Sequence, residues 1–247
     1  MTQPNTITLE TRGAIEILTL NRPDQLNAVT PDMIGELTDY FSALHDRPTT
    51  RVVILRGNGP EFSAGAELGS DAFAAPGKGR PQRQLKMQQN YSGVVRLMRS
   101  CPQPIIGLVH GAACGAGFSF LLACDVRFAA PDARMNAAYI RIGVGGCDMG
   151  SGYLLPRLVG LSVTSELLLT GRFLQGRARQ SNRLGQRYCS RRRTAREGNG
   201  ICLGDAAGFS HGAAIDQTGA QRPHRRAEPR SGAHDGGPAA GNPAGDA

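Results

Sequence analysis

Tryptophan is absent from this chain of 247 residues, and aromatic residues of all kinds supply only 5% of it. Lysine is nearly absent too: only Lys78 and Lys86 occur. The six cysteines (101, 114, 124, 147, 189, 202) contain no C-x-x-C pair and no zinc spacing. That excludes a redox pair and a sequence-legible metal site, and favours reduced thiols in the cytoplasm. The first ten residues, MTQPNTITLE, have neither a basic segment nor an apolar core, so no signal peptide is expected. One apolar stretch, 105–124, is long enough to imitate a membrane span. It is broken by His110 and four glycines and bracketed by Pro104 and Asp125, so a buried strand–turn–helix is expected instead. The 40% hydrophobic content is that of a soluble globular protein with a sizeable core.

Charge is unevenly spread. Residues 1–174 hold 16 Lys and Arg against 14 Asp and Glu, whereas 175–247 hold 12 Arg against 6 acids. Gly, Ala, Arg and Pro make up 42 of those last 73 residues, and no strand or helix period survives among them. Such a segment cannot offset its ordering entropy by burial, so disorder is expected from about 176 onward. The division expected is a core, 1–174, and an aberrant tail, 175–247. Arg191-Arg-Arg193 and Arg225-Arg226 could attract polyanions, but without aromatic interleaving or a recognisable module they indicate no specific nucleic acid.

The first 174 residues alternate strands with helices, which argues for an α/β fold on a mainly parallel sheet. Ile7–Asn21 reads as a hairpin turning at Arg12-Gly13. Thr30-Pro31 is a helix start for Asp32–His45. Arg51–Arg56 is a buried strand, Gly57–Ser70 a loop, and Gln82–Cys101 an amphipathic helix. Ile105–Val109, Asp125–Ala130 and Asn136–Ile142 read as strands. Tyr153–Val159 and Val163–Leu169 read as helix pieces.

Two small-residue loops each follow a buried strand. One is Glu61-Phe-Ser-Ala-Gly-Ala-Glu67-Leu68. The other is His110-Gly-Ala-Ala-Cys-Gly-Ala-Gly117, which opens into an apolar helical segment from Phe118. Loops without bulky side chains can aim backbone N–H groups at one point, and a helix start adds unpaired donors. Two such donors form an oxyanion hole for charge developing on a thioester carbonyl. The alternative is close strand–helix packing that merely needs small residues.

The order NRPDQLNAVT, RVVILRG, FSAGAELG, PIIGLVHGAACGAG, CDVRFAA, IRIGV, LPRLVG resembles the crotonase family, the enoyl-CoA hydratase/isomerase group, over about residues 7–174. The resemblance implies a crotonase-like spiral of ββα units, assembled as homotrimers or hexamers in the cytoplasm. It implies an acyl-CoA thioester as substrate, with no cofactor, no metal and no membrane partner. The oxyanion donors map to Ala66 and Ala116. CoA would pass Gln25, Leu26 and Ala28, with Ala64 and Leu68 lining the mouth. Arg22 is either a CoA-phosphate contact or a solvated arginine. His110 reads as structural, and Glu67, where the family usually has Asp, as a loop carboxylate.

The chain departs from the hydratase pattern at both catalytic glutamates. Ser119 stands where the first belongs and Tyr139 where the second belongs. Neither is a carboxylate base near neutral pH. Asp148 resembles the aspartate that dienoyl-CoA isomerases of the family use for proton transfer. Its two readings are that role and a cap on the helix beginning near Met149 or Gly150. Tyr139 is either a substrate hydrogen-bond donor or an aromatic core position.

Two other readings stand beside this one. Gly111-x-x-x-Gly115-x-Gly117 imitates a dinucleotide turn. But no lysine follows a tyrosine by four residues, so an NAD(P)-dependent short-chain dehydrogenase is remote. Gly117-Phe-Ser-Phe-Leu121 lacks the second glycine of a nucleophile elbow, which weighs against a serine hydrolase. The second reading is a catalytically degenerate remnant of the fold. The tail replaces the family's C-terminal helical part and resembles an out-of-frame translation of a high-GC coding region.

Overall fold

The computed structural model describes residues 5–68, 79–174 and 187–188. The proposed disorder of the tail therefore lies outside the described residues, as does the domain division it rests on, except at Arg187–Tyr188.

The hairpin forms as expected. β1 (Ile7–Arg12) and β2 (Ile15–Leu20) pair antiparallel about Gly13, whose φ of +59° suits glycine. β2 then pairs parallel with β3 (Val52–Gly57), β3 with β4 (Ile105–Val109), and β4 with β6 (Val126–Ala129). β8 (Arg187–Tyr188) completes a six-stranded sheet in the order β1-β2-β3-β4-β6-β8. A second, two-stranded parallel sheet joins β5 (Ala112–Cys114) to β7 (Arg134–Asn136).

All six residues of β2 are buried. It is the second strand of a sheet with both faces covered. Leu18 and Leu20 enter the main core, while Ile15 and Ile17 join Val52, Ile54, Ile106, Leu108 and Phe128 on the opposite face. The intervening Glu16 is satisfied in place, accepting from Tyr40 Oη at 2.8 Å and Thr50 Oγ1 at 2.7 Å.

Helices fill the crossovers. α1 (Pro31–Ala43) starts where Thr30-Pro31 places it: Thr30 Oγ1 accepts the Met33 N–H at 3.1 Å. Its buried Met33, Ile34, Leu37, Tyr40 and Phe41 face the sheet. Thr30→Ala removes that cap, and about 1 kcal/mol of stability should go with it, read as a lower urea midpoint at unchanged slope. α2 (Arg80–Ser100) packs on α1. α3 (Gly115–Ala123) is buried at all nine positions, α4 spans Ser151–Val159 and α5 spans Leu161–Thr170. Among the described residues no helix is long and apolar enough to cross a membrane, and no group of His, Cys, Asp or Glu could hold a metal ion.

Two expectations need correction. The second small-residue stretch is more ordered than a turn: Ala112–Cys114 is strand, and the helix already begins at Gly115. The strand expected over Asn136–Ile142 ends at Asn136, and Ala138–Ile142 is a 3₁₀ helix. Its isoleucines favour a strand by propensity. Gly143, at φ +73°, instead closes a turn, with its N–H on the Ile140 carbonyl and the Val144 N–H on the Tyr139 carbonyl.

Candidate active site

The loop after β3 is held as an extended segment between two neighbours. Ser63 pairs with Ala113 of β5 on one side, and Ala66 bridges Val29 on the other. The Val29 N–H donates to the Gly65 carbonyl at 2.8 Å, and the Glu67 N–H donates to the Val29 carbonyl at 3.0 Å. In that parallel bridge the bonds belong to the residues flanking Ala66, so the Ala66 N–H points away from Val29. Ala116 lies in the first turn of α3, where an N–H has no partner within the helix. Among the described residues neither N–H has an acceptor.

Close approach brings the two loops together. Gly65 sits at φ +97°, and a Cβ there would stand 2.9 Å from the Cys114 carbonyl oxygen and 3.7 Å from the Ala116 nitrogen. A Cβ on Gly117 would stand 2.6 Å from that of Ser63. The small residues thus serve close packing and leave the two donors open. The packing reading and the donor reading are compatible.

A cleft open to solvent lies where these loops meet. Ala64, Ala66 and Leu68 line it from the first loop, Ala116 from α3, and Tyr139 and Asp148 from the segments beyond β7. Five of the eight site residues expected from sequence are therefore brought together. Gln25, Leu26 and Ala28 are not among its lining residues: they lie beside the first loop, with the Leu26 carbonyl accepting the Ala64 N–H at 2.9 Å. Gln25 and Leu26 are exposed and Ala28 is half-buried.

Asp148 is the one carboxylate among the described residues that line the cleft. It does not cap α4, whose N-cap is Gly150. Its Oδ1 accepts the adjacent Met149 N–H at 2.8 Å, and Gln88 of α2 supplies another hydrogen bond. Burial raises its pKa above the ordinary carboxylate value, and those two hydrogen bonds work against the shift.

Ser119 and Tyr139 touch each other. Their hydroxyls are hydrogen-bonded, and Tyr139 Oη donates to the Gly115 carbonyl at 2.9 Å. Burial drives the Tyr139 pKa well above that of free tyrosine, so the phenol stays neutral at any working pH. Tyr139 is an aromatic core position, as one of its two readings expected, and its hydroxyl is engaged within the protein.

Other singled-out residues resolve into structure. Arg22 pairs with Glu67 at 2.9 Å and donates to the Ala28 carbonyl at 2.6 Å, tying the 22–29 segment to the residue after Ala66. His110 Nε2 lies 2.9 Å from the Gly59 carbonyl, as a structural histidine should. Glu61 binds the Ala112 N–H and pairs with Arg134 at 2.9 Å, fixing the start of the second loop. Gln88 and Tyr91 also line the cleft, and sequence reasoning did not single them out. The signal was their i, i+3 spacing on a helix already read as amphipathic. The Tyr91 hydroxyl donates to the Val29 carbonyl at 2.9 Å, and burial pushes its pKa up to about 12.

Two unpaired N–H donors beside one carboxylate can hold a developing oxyanion while a proton is moved. A family model described as enoyl-CoA hydratase/isomerase matches residues 10–185. The chain belongs to this family. The match runs eleven residues beyond the motif-based limit of 174. Among relatives, "Probable enoyl-CoA hydratase echA12" of Mycobacterium bovis is 34% identical over 176 residues, 70% of this chain and 61% of the relative. The peroxisomal Delta(3,5)-Delta(2,4)-dienoyl-CoA isomerase of Arabidopsis thaliana is 30% identical over 173 residues, 67% of this chain and 62% of that one. The chain thus spans about three fifths of the length of these curated relatives.

Solved structures agree on the crotonase fold. An enoyl-CoA hydratase of Mycobacterium smegmatis superposes with a TM-score of 0.74 at 26% identity, covering 87% of this chain and 83% of that one. A monofunctional enoyl-CoA isomerase of the same organism gives 0.68 at 29%, covering 87% and 91%.

Proposed function

We propose that this member of the family moves a double bond along an acyl-CoA thioester. The Ala66 and Ala116 N–H groups hold the thioester oxygen as negative charge develops on it. Asp148 takes a proton α or γ to the carbonyl and returns it elsewhere on the same chain. One observation carries the reading. Asp148 is the only carboxylate among the described cleft-lining residues, and by the family resemblance Ser119 and Tyr139 take the places of the hydration glutamates. The similarity to a dienoyl-CoA isomerase points the same way.

CoA in this reading passes Gln25, Leu26 and Ala28, with Ala64 and Leu68 at the acyl mouth. Arg22 is held by Glu67 and serves the loop rather than a phosphate. The reaction needs no cofactor beyond the CoA carried by the substrate, and the working form is a cytoplasmic homotrimer or hexamer.

A degenerate remnant is the second reading. It is favoured by the tail's composition. A panel of 2-enoyl-, 3-enoyl- and dienoyl-CoA thioesters, with the oligomeric state measured on the same sample, separates the two. Isomerised product without hydrated product supports the first. A monomer that turns over no thioester supports the second. Hydration of the 2-enoyl thioester overturns the isomerase assignment.

A further inference from the structure

We infer that Tyr139 is a positioning residue for the Ala116 N–H, with Ser119 as the outer link of the same chain of hydroxyls. The inference rests on the reading of that N–H as an oxyanion donor.

The Gly115 carbonyl and the Ala116 N–H belong to one peptide group. A trans peptide is planar, so its C=O and N–H point in opposite directions. Whatever fixes the Gly115 oxygen therefore aims the Ala116 hydrogen. Such a hold matters here because Gly115 lies at φ +46°, at the free end of a helix, with nothing within 4 Å of where a Cβ would stand. Glycine itself adds little stiffness, and apart from Tyr139 the carbonyl has only the ordinary helix bond to hold it. Tyr139 Oη supplies the hold from the 3₁₀ turn after β7, at 2.9 Å. Tyr139 itself is only 4% exposed and cannot swing away.

The direction of the chain follows from proton count. Tyr139 has one hydroxyl proton and gives it to Gly115. Ser119 must therefore donate to the tyrosine oxygen. The order is Ser119 O–H to Tyr139 O–H to Gly115 C=O, and then from the Ala116 N–H into the cleft. Each bond in such a series polarises the next, which strengthens the terminal donor. The two residues that replaced carboxylates thus act on the substrate oxygen through a peptide instead of acting on water.

Tyr139→Phe removes one hydroxyl and keeps the ring. The Gly115 carbonyl retains its second lone pair for the ordinary i→i+4 helix bond, so the fold should persist. The full chain is assayed with a 3-enoyl-CoA thioester, and the carbonyl stretch of bound, carbonyl-labelled butyryl-CoA is read by infrared difference spectroscopy. Tyr139→Phe should lower kcat about tenfold, with KM changed by less than about twofold. The bound carbonyl stretch should move back toward that of the free thioester. Ser119→Ala should do the same more weakly, about threefold in kcat. A purely structural role would not separate kcat from KM or move the carbonyl band. If wild type shifts the band and Tyr139→Phe shifts it equally, this inference is wrong and the oxyanion reading survives. If wild type leaves the band of bound butyryl-CoA unshifted, or does not bind it, the oxyanion reading fails and this inference with it.

Discussion

Ala116→Pro should lower kcat for thioester turnover by about 10²–10³-fold, the effect of removing one oxyanion donor elsewhere. Proline deletes the N–H and puts its Cδ where that hydrogen points, so the donor is replaced by a methylene. The residue lies in the first turn of α3, where the helix does not use its N–H. Helical φ suits the pyrrolidine ring, and Gly115 before it tolerates backbone angles that other residues would not. The melting temperature should therefore hold while activity collapses. Steady-state kinetics beside a thermal melt is the check. A variant with near wild-type kcat would remove Ala116 from the mechanism.

Asp148→Asn should cost about 10²–10⁴-fold in kcat, the range for losing a positioned acid–base group. The pH dependence carries a sign of its own. Burial raises the Asp148 pKa above the ordinary value of about 3.9. As the base it must be ionised in the free enzyme. Wild-type kcat/KM should then fall as the pH drops through that raised pKa, and the limb should vanish in the asparagine variant. Stability should move the other way. A raised carboxyl pKa means that folding disfavours the charge, a cost absent below the unfolded-state pKa and fully present above the folded-state value. Asparagine removes it, so the variant should be no less stable than wild type at neutral pH. Lost activity with undiminished stability would separate chemistry from structural damage. An unchanged pH–rate profile would end the role of Asp148.

The sequence was most legible where local chemistry and packing agree. Thr30-Pro31 started a helix, Arg12-Gly13 turned a hairpin, and the apolar runs at 52–57 and 105–109 became central strands. Ala66, Ala116 and Asp148 came from the family resemblance, and all three line one cleft. The failures have two physical causes, local turn bonds that override propensity and partners distant in sequence. Ala138–Ile142 looked like a strand because β-branched residues alternate there, yet turn bonds to Gly143 and Val144 decided its form. Arg22 read as either a CoA-phosphate contact or a solvated arginine, since nothing local announces a pairing with Glu67 forty-five residues away. Ser119 and Tyr139 each read as a lost glutamate. Their contact across twenty residues gives the pair a joint role that neither position suggests alone.

The central claim is that this cleft holds an enolate, and proton exchange tests it without presuming any product. The full chain is incubated with butyryl-CoA in D₂O, and deuterium at the carbon α to the thioester is followed by NMR. The account predicts incorporation by wild type at a rate well above the uncatalysed one, and its loss in Asp148→Asn and Ala116→Pro. A chain that binds butyryl-CoA yet leaves its α protons unexchanged would contradict it.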